Sequence, residues 1–175
     1  MRPPVDSDLA WQLDWLNTPA VMRHLGGEPR PPDQATAGFE RNLAAWSEGE
    51  PAFWTLVLRA SGELIGKCGL SRIEEEPAPA EIRGAIQVGW ALAEPFWGQG
   101  VASEAARAAI GRGFAVYPVP EIWAQTSDSN AASTRLMGRL GLLRCADLFY
   151  FDTDYPAADN PTTVYRLGRD EWSAA

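Results

Sequence analysis

The sequence predicts a mixed α/β fold, in which helices flank a sheet of modest size. Two observations favour it. Helical periodicity runs through the N-terminal segment and returns twice later, and the segments between read as strands bounded by turn signals. With 175 residues, a mass of 19.1 kDa and 46% hydrophobic residues, the chain is suited to one domain over residues 1–175.

The N-terminal segment is predicted to be helical. Apolar residues recur at helical spacing in residues 8 to 25, and Pro19 breaks the pattern, so a second short helix is expected after it. A loop rich in glycine and proline follows. Asp33 is then placed to cap a helix over about residues 34 to 48.

The middle and end of the chain alternate between strands and helices. "AFWTLVLRASGELIGKCGLSRI" predicts two strands joined by a turn at Ser61-Gly62, and the glutamates of the polar connection "EEEPAPAE" are expected in solvent. A third strand is predicted at "GAIQVGWALA", followed by a helix that ends before Pro118. The remaining predicted elements are a strand at "EIWAQTS", a helix at "SNAASTRLMGRLG" ending at Gly141, and strands within "LLRCADLFYF" and "TTVYRLGRDEW".

Composition excludes several classes of function. The formal net charge of −8 argues against a nucleic-acid surface, and it suits a cationic acceptor such as an amine. Cys68, Cys145 and the single histidine form no metal set, so no metal is expected. No apolar run is long enough to span a bilayer, and the N-terminus lacks a signal-peptide pattern. A cytoplasmic protein without membrane partners is therefore predicted.

One glycine-rich turn indicates chemistry. In "PFWGQGVASEA", Gly98 and Gly100 flank Gln99, and a helix begins near Val101. The N–H groups of a first helical turn lack partners and face the positive end of the helix dipole, so a phosphate could lie on residues 98 to 103. No lysine follows the glycines as in a P-loop, and their mid-chain place does not suit a dinucleotide fold. A purely structural tight turn is the alternative.

The segment "IQVGWALAEPFWGQGVASEAARAAIGRGF" resembles the strand–loop–helix core of the GNAT acetyltransferases. That family's acetyl-CoA loop has the form (Gln/Arg)-x-x-Gly-x-(Gly/Ala), which aligns with residues 97 to 102. Trp97 stands where glutamine or arginine is usual. This departure, with the wording "WGQGVASEA", resembles the RimJ/RimL branch, which acetylates the N-termini of ribosomal proteins.

The resemblance extends over nearly the whole chain. "SNAASTRLMGRLGL" is similar to the family's second cofactor segment, with Asn130 and Ser133 on its Asn-x-x-(Ala/Ser) positions, and "VYRLGRDEW" looks like the closing strand of the RimJ/RimL branch. "DLAWQLDWLNTPAVMRHLGG" resembles the first helices of that branch. The strand that the family places before "RPP" is short or missing here.

The resemblance implies the GNAT fold, with a mixed, mostly antiparallel sheet that splays at the cofactor strand. It implies direct acetyl transfer from acetyl-CoA to a primary amine, either a protein N-terminus or a small molecule. In this family the strand backbone binds the pantetheine arm, the glycine turn binds the pyrophosphate, and Asn130 would bond the arm from the far side. The implied cofactor-binding residues are Trp90, Ala91, Leu92, Trp97, Gly98, Gln99, Gly100, Val101, Ala102, Ser103, Asn130 and Ser133.

The proton-handling residues are less defined by the resemblance. Many members carry a tyrosine as general acid where this chain has Met137, which cannot donate, so Ser133 is the candidate acid. Members often carry a glutamate as base where this chain has Gln87, an amide that is no base at neutral pH. Glu81, His24 or a water chain are the alternatives.

Other functions stay open at this point. A chain without the usual glutamate and tyrosine could bind acyl-CoA as a sensor without turnover, and aminoglycoside-type antibiotic acetyltransferases share the fold. A homodimer is compatible with the resemblance. Fold does not fix the substrate, so the acceptor amine cannot be read from these residues.

Overall fold

Six strands form one open sheet in the computed structural model, which describes residues 1–172. The helices are α1 (Asp8–Trp15), α2 (Pro19–Met22), α3 (Pro32–Glu48), α4 (Val101–Val116) and α5 (Ala131–Leu140). The strands are β1 (Phe53–Val57), β2 (Leu64–Arg72), β3 (Ile86–Leu92), β4 (Glu121–Ser127), β5 (Leu143–Tyr150) and β6 (Thr162–Gly168). Short 3₁₀ turns lie at Glu94–Phe96 and Ala157–Asp159.

The strand order is β1-β2-β3-β4-β6-β5, and every neighbouring pair is antiparallel except β3 and β4. All of β3 pairs with β2, but its parallel pairing with β4 is confined to Gln87 opposite Trp123. The two central strands diverge beyond that point. The predicted mixed, mostly antiparallel sheet that splays at its third strand is therefore confirmed.

Helix α4 packs beneath the splay, on the face of the sheet opposite α2. Its buried positions are mostly small residues, which lets the helix approach the strands closely. At Gly113, an added Cβ atom would lie 2.7 Å from Ile122 on β4 and 3.0 Å from Leu70 on β2. The helix therefore contacts the strands on both sides of the divergence.

The N-terminus is fixed to the sheet by one buried carboxylate. Arg2 and Thr55 form a single antiparallel bridge, with backbone N–O distances of 3.0 Å in both directions. Asp8 is buried and accepts hydrogen bonds from Arg2 (2.8 Å), the Thr55 hydroxyl (2.8 Å) and the Val5 N–H (3.1 Å). The strand expected before "RPP" is therefore reduced to one bridge within the described residues.

Most predicted turns and caps are confirmed, and one is wrong. Gly62 and Gly141 adopt positive φ angles of 75° and 86°, as the hairpin turn and the C-terminus of α5 require. Asp33 does not cap α3, because the helix begins one residue earlier at Pro32, whose missing N–H costs nothing at that position. Among residues 1–172, no helix is both long and apolar enough to cross a bilayer.

Candidate functional site

A cavity of about 900 Å³ opens where β3 and β4 diverge. Its walls come from β3 and the start of α4 on one side, and from β4 and α5 on the other. Residues of α2 and of the segment 150–162 complete the lining. The cavity is therefore bordered by every segment that the sequence singled out for chemistry.

The glycine turn has the geometry expected of an anion site. Gly98 and Gly100 have φ angles of 72° and 82°, a conformation that favours glycine, and α4 begins directly afterwards at Val101. The backbone N–H groups of residues 98 to 102 donate to no acceptor in the described part of the chain. The N–H of Ser103, by contrast, already donates to the Gly100 carbonyl at 3.0 Å. Five unpaired N–H groups thus lie at the positive end of a helix dipole.

Two side chains fix this turn to the strand before it. The indole Nε1 of Trp97 donates a hydrogen bond of 2.7 Å to the Leu92 carbonyl, the last residue of β3. The Gln99 amide donates to the Pro95 carbonyl, also at 2.7 Å. Gln99 does not line the cavity, and its side-chain amide is occupied by this contact.

The third strand and α5 face each other across the cavity. Trp90, Ala91 and Leu92 line it from β3. Asn130 is the N-cap of α5, where its Oδ1 accepts from the Ser133 N–H at 3.1 Å, so its amide nitrogen stays free to donate into the cavity. Ser133 also lines the cavity, and its hydroxyl has no hydrogen-bond partner among residues 1–172.

Gln87 takes part in a chain of polar side chains across the splay. Its Oε1 accepts from the Gln125 amide at 2.8 Å, and the Gln125 Oε1 accepts from the Tyr150 hydroxyl at 2.8 Å. Burial, strengthened by the charges of Glu75 and Asp152, raises the pKa of Tyr150, so this hydroxyl keeps its proton and donates. Gln87 therefore has a structural role, because its side-chain oxygen is occupied by the hydrogen bond from Gln125.

His24 reaches the cavity from the loop after α2 and belongs to a second polar cluster. Its Nδ1 lies 3.0 Å from the carboxylate of Asp159, which also accepts from the hydroxyls of Ser127 (3.2 Å) and Ser129. Burial raises the pKa of Asp159, but the hydrogen bonds from Ser129, His24 and Ser127 outweigh it and leave that pKa below its ordinary value. Asp159 is therefore a buried carboxylate ion at neutral pH.

In the connection between β2 and β3, Glu74, Glu76 and Glu81 are exposed as expected, but Glu75 is not. Ala78 and Ile82 are buried against Ile73, so the connection folds back over the sheet. Glu75 is thereby carried to the cavity wall, where its Oε2 is inaccessible to solvent and has no hydrogen-bond partner in the described chain. Glu81, the alternative named from the sequence, is exposed and does not line the cavity.

Residues 1–143 match the family model of the GNAT acetyltransferase domain. The chain belongs to the GNAT acetyltransferase family. A curated relative is the FsC-acetyl coenzyme A-N(2)-transacetylase of Aspergillus fumigatus, which is 29% identical over 157 residues. The alignment covers 88% of this chain but 66% of that relative, so the chain spans just under two thirds of its length.

Solved structures agree with the family assignment. An acetyltransferase from Agrobacterium tumefaciens superposes with a TM-score of 0.76 at 25% identity, covering 96% of this chain and 89% of that one. RimL, a ribosomal alpha-N-protein acetyltransferase in complex with coenzyme A, has a TM-score of 0.74 at 15% identity, with coverage of 98% and 94%. At 15% identity, the similarity to RimL shows only that the two proteins share a fold.

The GNAT domain uses acetyl-CoA, and the described site fits that group. The free N–H groups of residues 98 to 102 suit a pyrophosphate, and the diverging side of β3 leaves backbone groups for an extended arm with amides. The free amide nitrogen of Asn130 faces the same gap. Acetyl-CoA, when bound, supplies an acetyl group activated as a thioester. Residues Trp90 to Leu92, residues 98 to 102 and Asn130 would hold it.

Proposed function

We propose that this GNAT protein transfers the acetyl group of acetyl-CoA to a primary amine that binds as a cation beside Glu75. The observation that carries the acceptor class is the Glu75 carboxylate, whose Oε2 is buried in the cavity wall without a partner. A buried carboxylate oxygen without a hydrogen bond is costly, and a bound ammonium group would remove that cost. Two further carboxylates, Asp152 and Asp159, line the same cavity.

The remaining roles follow the family pattern. The backbone of Trp90, Ala91 and Leu92 would bind the pantetheine arm, and residues 98 to 102 the pyrophosphate. Ser133 would donate a proton to the leaving thiolate, which is supported by its free hydroxyl at the cavity wall. Holding the thioester and the amine together in one site contributes to the rate enhancement through proximity.

The acceptor class is tested by substituting Glu75. The purified protein is mixed with acetyl-CoA and with n-butylamine, 1,4-diaminobutane or a peptide with a free N-terminus, and the released thiol is followed. We expect Glu75→Gln to raise the KM for the amine by about tenfold, the value of a charge-assisted hydrogen bond, while the Kd for CoA stays unchanged. Glu76→Gln is the matched control, because that neighbouring side chain is exposed and does not line the cavity.

The result also separates the alternatives. A KM that is equally unchanged in both variants contradicts the binding role of Glu75. CoA binding without thiol release from any amine favours an acyl-CoA sensor instead.

We further propose the RimJ/RimL branch, with a protein N-terminus as acceptor. The support is Trp97 at the first motif position and "VYRLGRDEW", which contributes β6. A faster reaction with the peptide than with n-butylamine would support this branch, and the reverse order would favour a small-molecule acceptor. We also propose a cytoplasmic location and a homodimer, and light scattering of the purified protein measures the second.

A further inference from the structure

We propose that Asp159 is a positioning residue that holds His24 so that the imidazole Nε2 accepts a proton from the acceptor amine. This inference rests on the proposed amine acetylation and adds to it the base that the sequence left open. It is carried by the contact between two residues that lie 135 positions apart in the chain. No local sequence pattern connects them.

The contact is specific and enclosed. The Nδ1 of His24 lies 3.0 Å from the Asp159 carboxylate, whose residue is only 6% exposed. The hydroxyls of Ser127 and Ser129 donate to the same carboxylate oxygen. Three donors on one buried oxygen fix the position of the carboxylate, and the carboxylate in turn fixes the imidazole.

This geometry determines which imidazole nitrogen is free. A carboxylate ion can only accept hydrogen bonds, so Nδ1 must carry the hydrogen in the contact with Asp159. The neutral ring then has its lone pair on Nε2, on the opposite edge. His24 lines the cavity and its side chain is 24% exposed, and Asp159 occupies only the Nδ1 edge, so we infer that Nε2 is the nitrogen available to a bound amine.

The segment that carries His24 is connected to both strands that border the gap. Val21, three residues before His24, packs against Ala91 on β3. Ser127, which shares Asp159 with His24, is the last residue of β4. His24 is thus held between the two strands that border the gap, on the face of the sheet opposite α4.

The step balances with the groups that the proposed function supplies. The ammonium group bound beside Glu75 first loses one proton to solvent, and the neutral nitrogen then forms the bond to the acetyl carbon. The proton that this nitrogen then loses passes to Nε2 of His24, while the carbon–sulfur bond breaks and the sulfur takes up one proton from the Ser133 hydroxyl, which regains one from solvent. The products are a neutral amide and a neutral thiol, and His24 returns its proton to solvent.

The first test reads the imidazole directly, without any turnover. His24 is the only histidine in the chain, so protein labelled with ¹⁵N-histidine and free of any tag gives a single imidazole spectrum. We expect the Nδ1–H tautomer at neutral pH in the wild type, and loss of that preference in Asp159→Asn. Asp152→Asn removes a second buried carboxylate from the same cavity, and it should leave the tautomer unchanged. A wild-type ring in the Nε2–H tautomer overturns the inference.

The second test separates chemistry from structure. In His24→Asn the side-chain amide can still donate to Asp159, so the fold is expected to persist. The basic nitrogen Nε2, however, is lost. We expect kcat to fall by about 100-fold, the usual contribution of a general base, with the Kd for CoA and the melting temperature close to wild type. Wild-type turnover in this variant overturns the inference alone. A wild-type protein that acetylates no amine overturns the proposed function and this inference together.

Discussion

The indole of Trp97 and the carbonyl of Leu92 join the glycine turn to the end of β3 through one hydrogen bond of 2.7 Å. Trp97 is 47% exposed, so its ring contributes little to the core, and it also lines the cavity. The bond aligns two segments to which the cofactor is assigned, the strand that would bind the pantetheine arm and the turn that would bind the pyrophosphate. This hydrogen bond therefore explains structurally why a tryptophan occupies position 97, the first position of the acetyl-CoA motif.

Trp97→Phe is expected to weaken CoA binding about fivefold, because the Leu92 carbonyl loses its donor at a net cost of about 1 kcal/mol. Isothermal titration calorimetry with CoA measures the change. Trp15→Phe is the control, since Trp15 is equally exposed and its indole donates no hydrogen bond within residues 1–172. Equal affinity in both variants would show that the bond does not align the turn.

Gly100→Asp is expected to abolish measurable CoA binding. It places a negative charge beside the free N–H groups where the pyrophosphate is assigned, and it strains a backbone whose φ is 82°. Gly62→Asp is the control for strain, because Gly62 has a φ of 75° in the hairpin turn remote from the cavity. If Gly100→Asp binds CoA as tightly as Gly62→Asp, the anion site is misplaced.

Ser133→Ala is expected to lower kcat about tenfold or more while changing the Kd for CoA less than twofold, if its hydroxyl acts as the acid. Thr134→Ala lies next to it on α5, where the hydroxyl bonds the Ala131 carbonyl instead of facing the cavity. That control should retain wild-type kcat. Parallel losses of kcat and CoA affinity in Ser133→Ala would reduce Ser133 to a cofactor contact.

Asp8→Asn is expected to destabilise the protein by about 2 kcal/mol near neutral pH, because the buried carboxylate holds Arg2, Val5 and Thr55 together. Asp6→Asn is the exposed control, and urea unfolding measures both variants. An equal change in the two variants would show that the buried carboxylate does not anchor the N-terminus.

Acid should act on wild-type stability through the same carboxylate. Burial raises the pKa of Asp8, but its hydrogen bonds outweigh this and leave the pKa below the ordinary 3.8. The unfolded chain then binds the proton first, so the stability from this group is present above about pH 4 and is lost as the pH falls further. The loss below about pH 4 should be shallower in Asp8→Asn than in wild type, and equal steepness in the two proteins would contradict the assignment.

The parts of the site that were predictable from sequence are those that neighbouring residues determine. The positive φ angles of Gly98 and Gly100, the start of α4 and the cap at Asn130 each depend on a few adjacent positions. Most residues that the resemblance implied for cofactor binding line the cavity, and Gln99 does not; their contacts with acetyl-CoA stay a prediction.

The half of the cavity assigned to the acceptor amine is formed by contacts between segments that lie far apart in the sequence. Local sequence patterns do not predict such contacts. Asp159 meets His24 only after β6 has paired with β4, and nothing around Asp159 in the sequence marks it. Glu75 lies in a run of glutamates that is typical of a solvated loop. The one available signal was the pair of apolar residues Ala78 and Ile82, which anchor that loop to the sheet.

Gly113 gives α4 a mechanical role that is distinct from seating a ligand. The helix touches β2 and β4 at this glycine, and a single methyl group there would press against Leu70 and Ile122 at once. Such a group would push Leu70 and Ile122 apart, and with them the two halves of the sheet, from the side on which α4 packs. The width of the gap between β3 and β4 thus depends on the absence of a side chain at Gly113 of α4. A substitution at Gly113, which is a core position, would then weaken cofactor binding before it measurably lowered the stability of the fold.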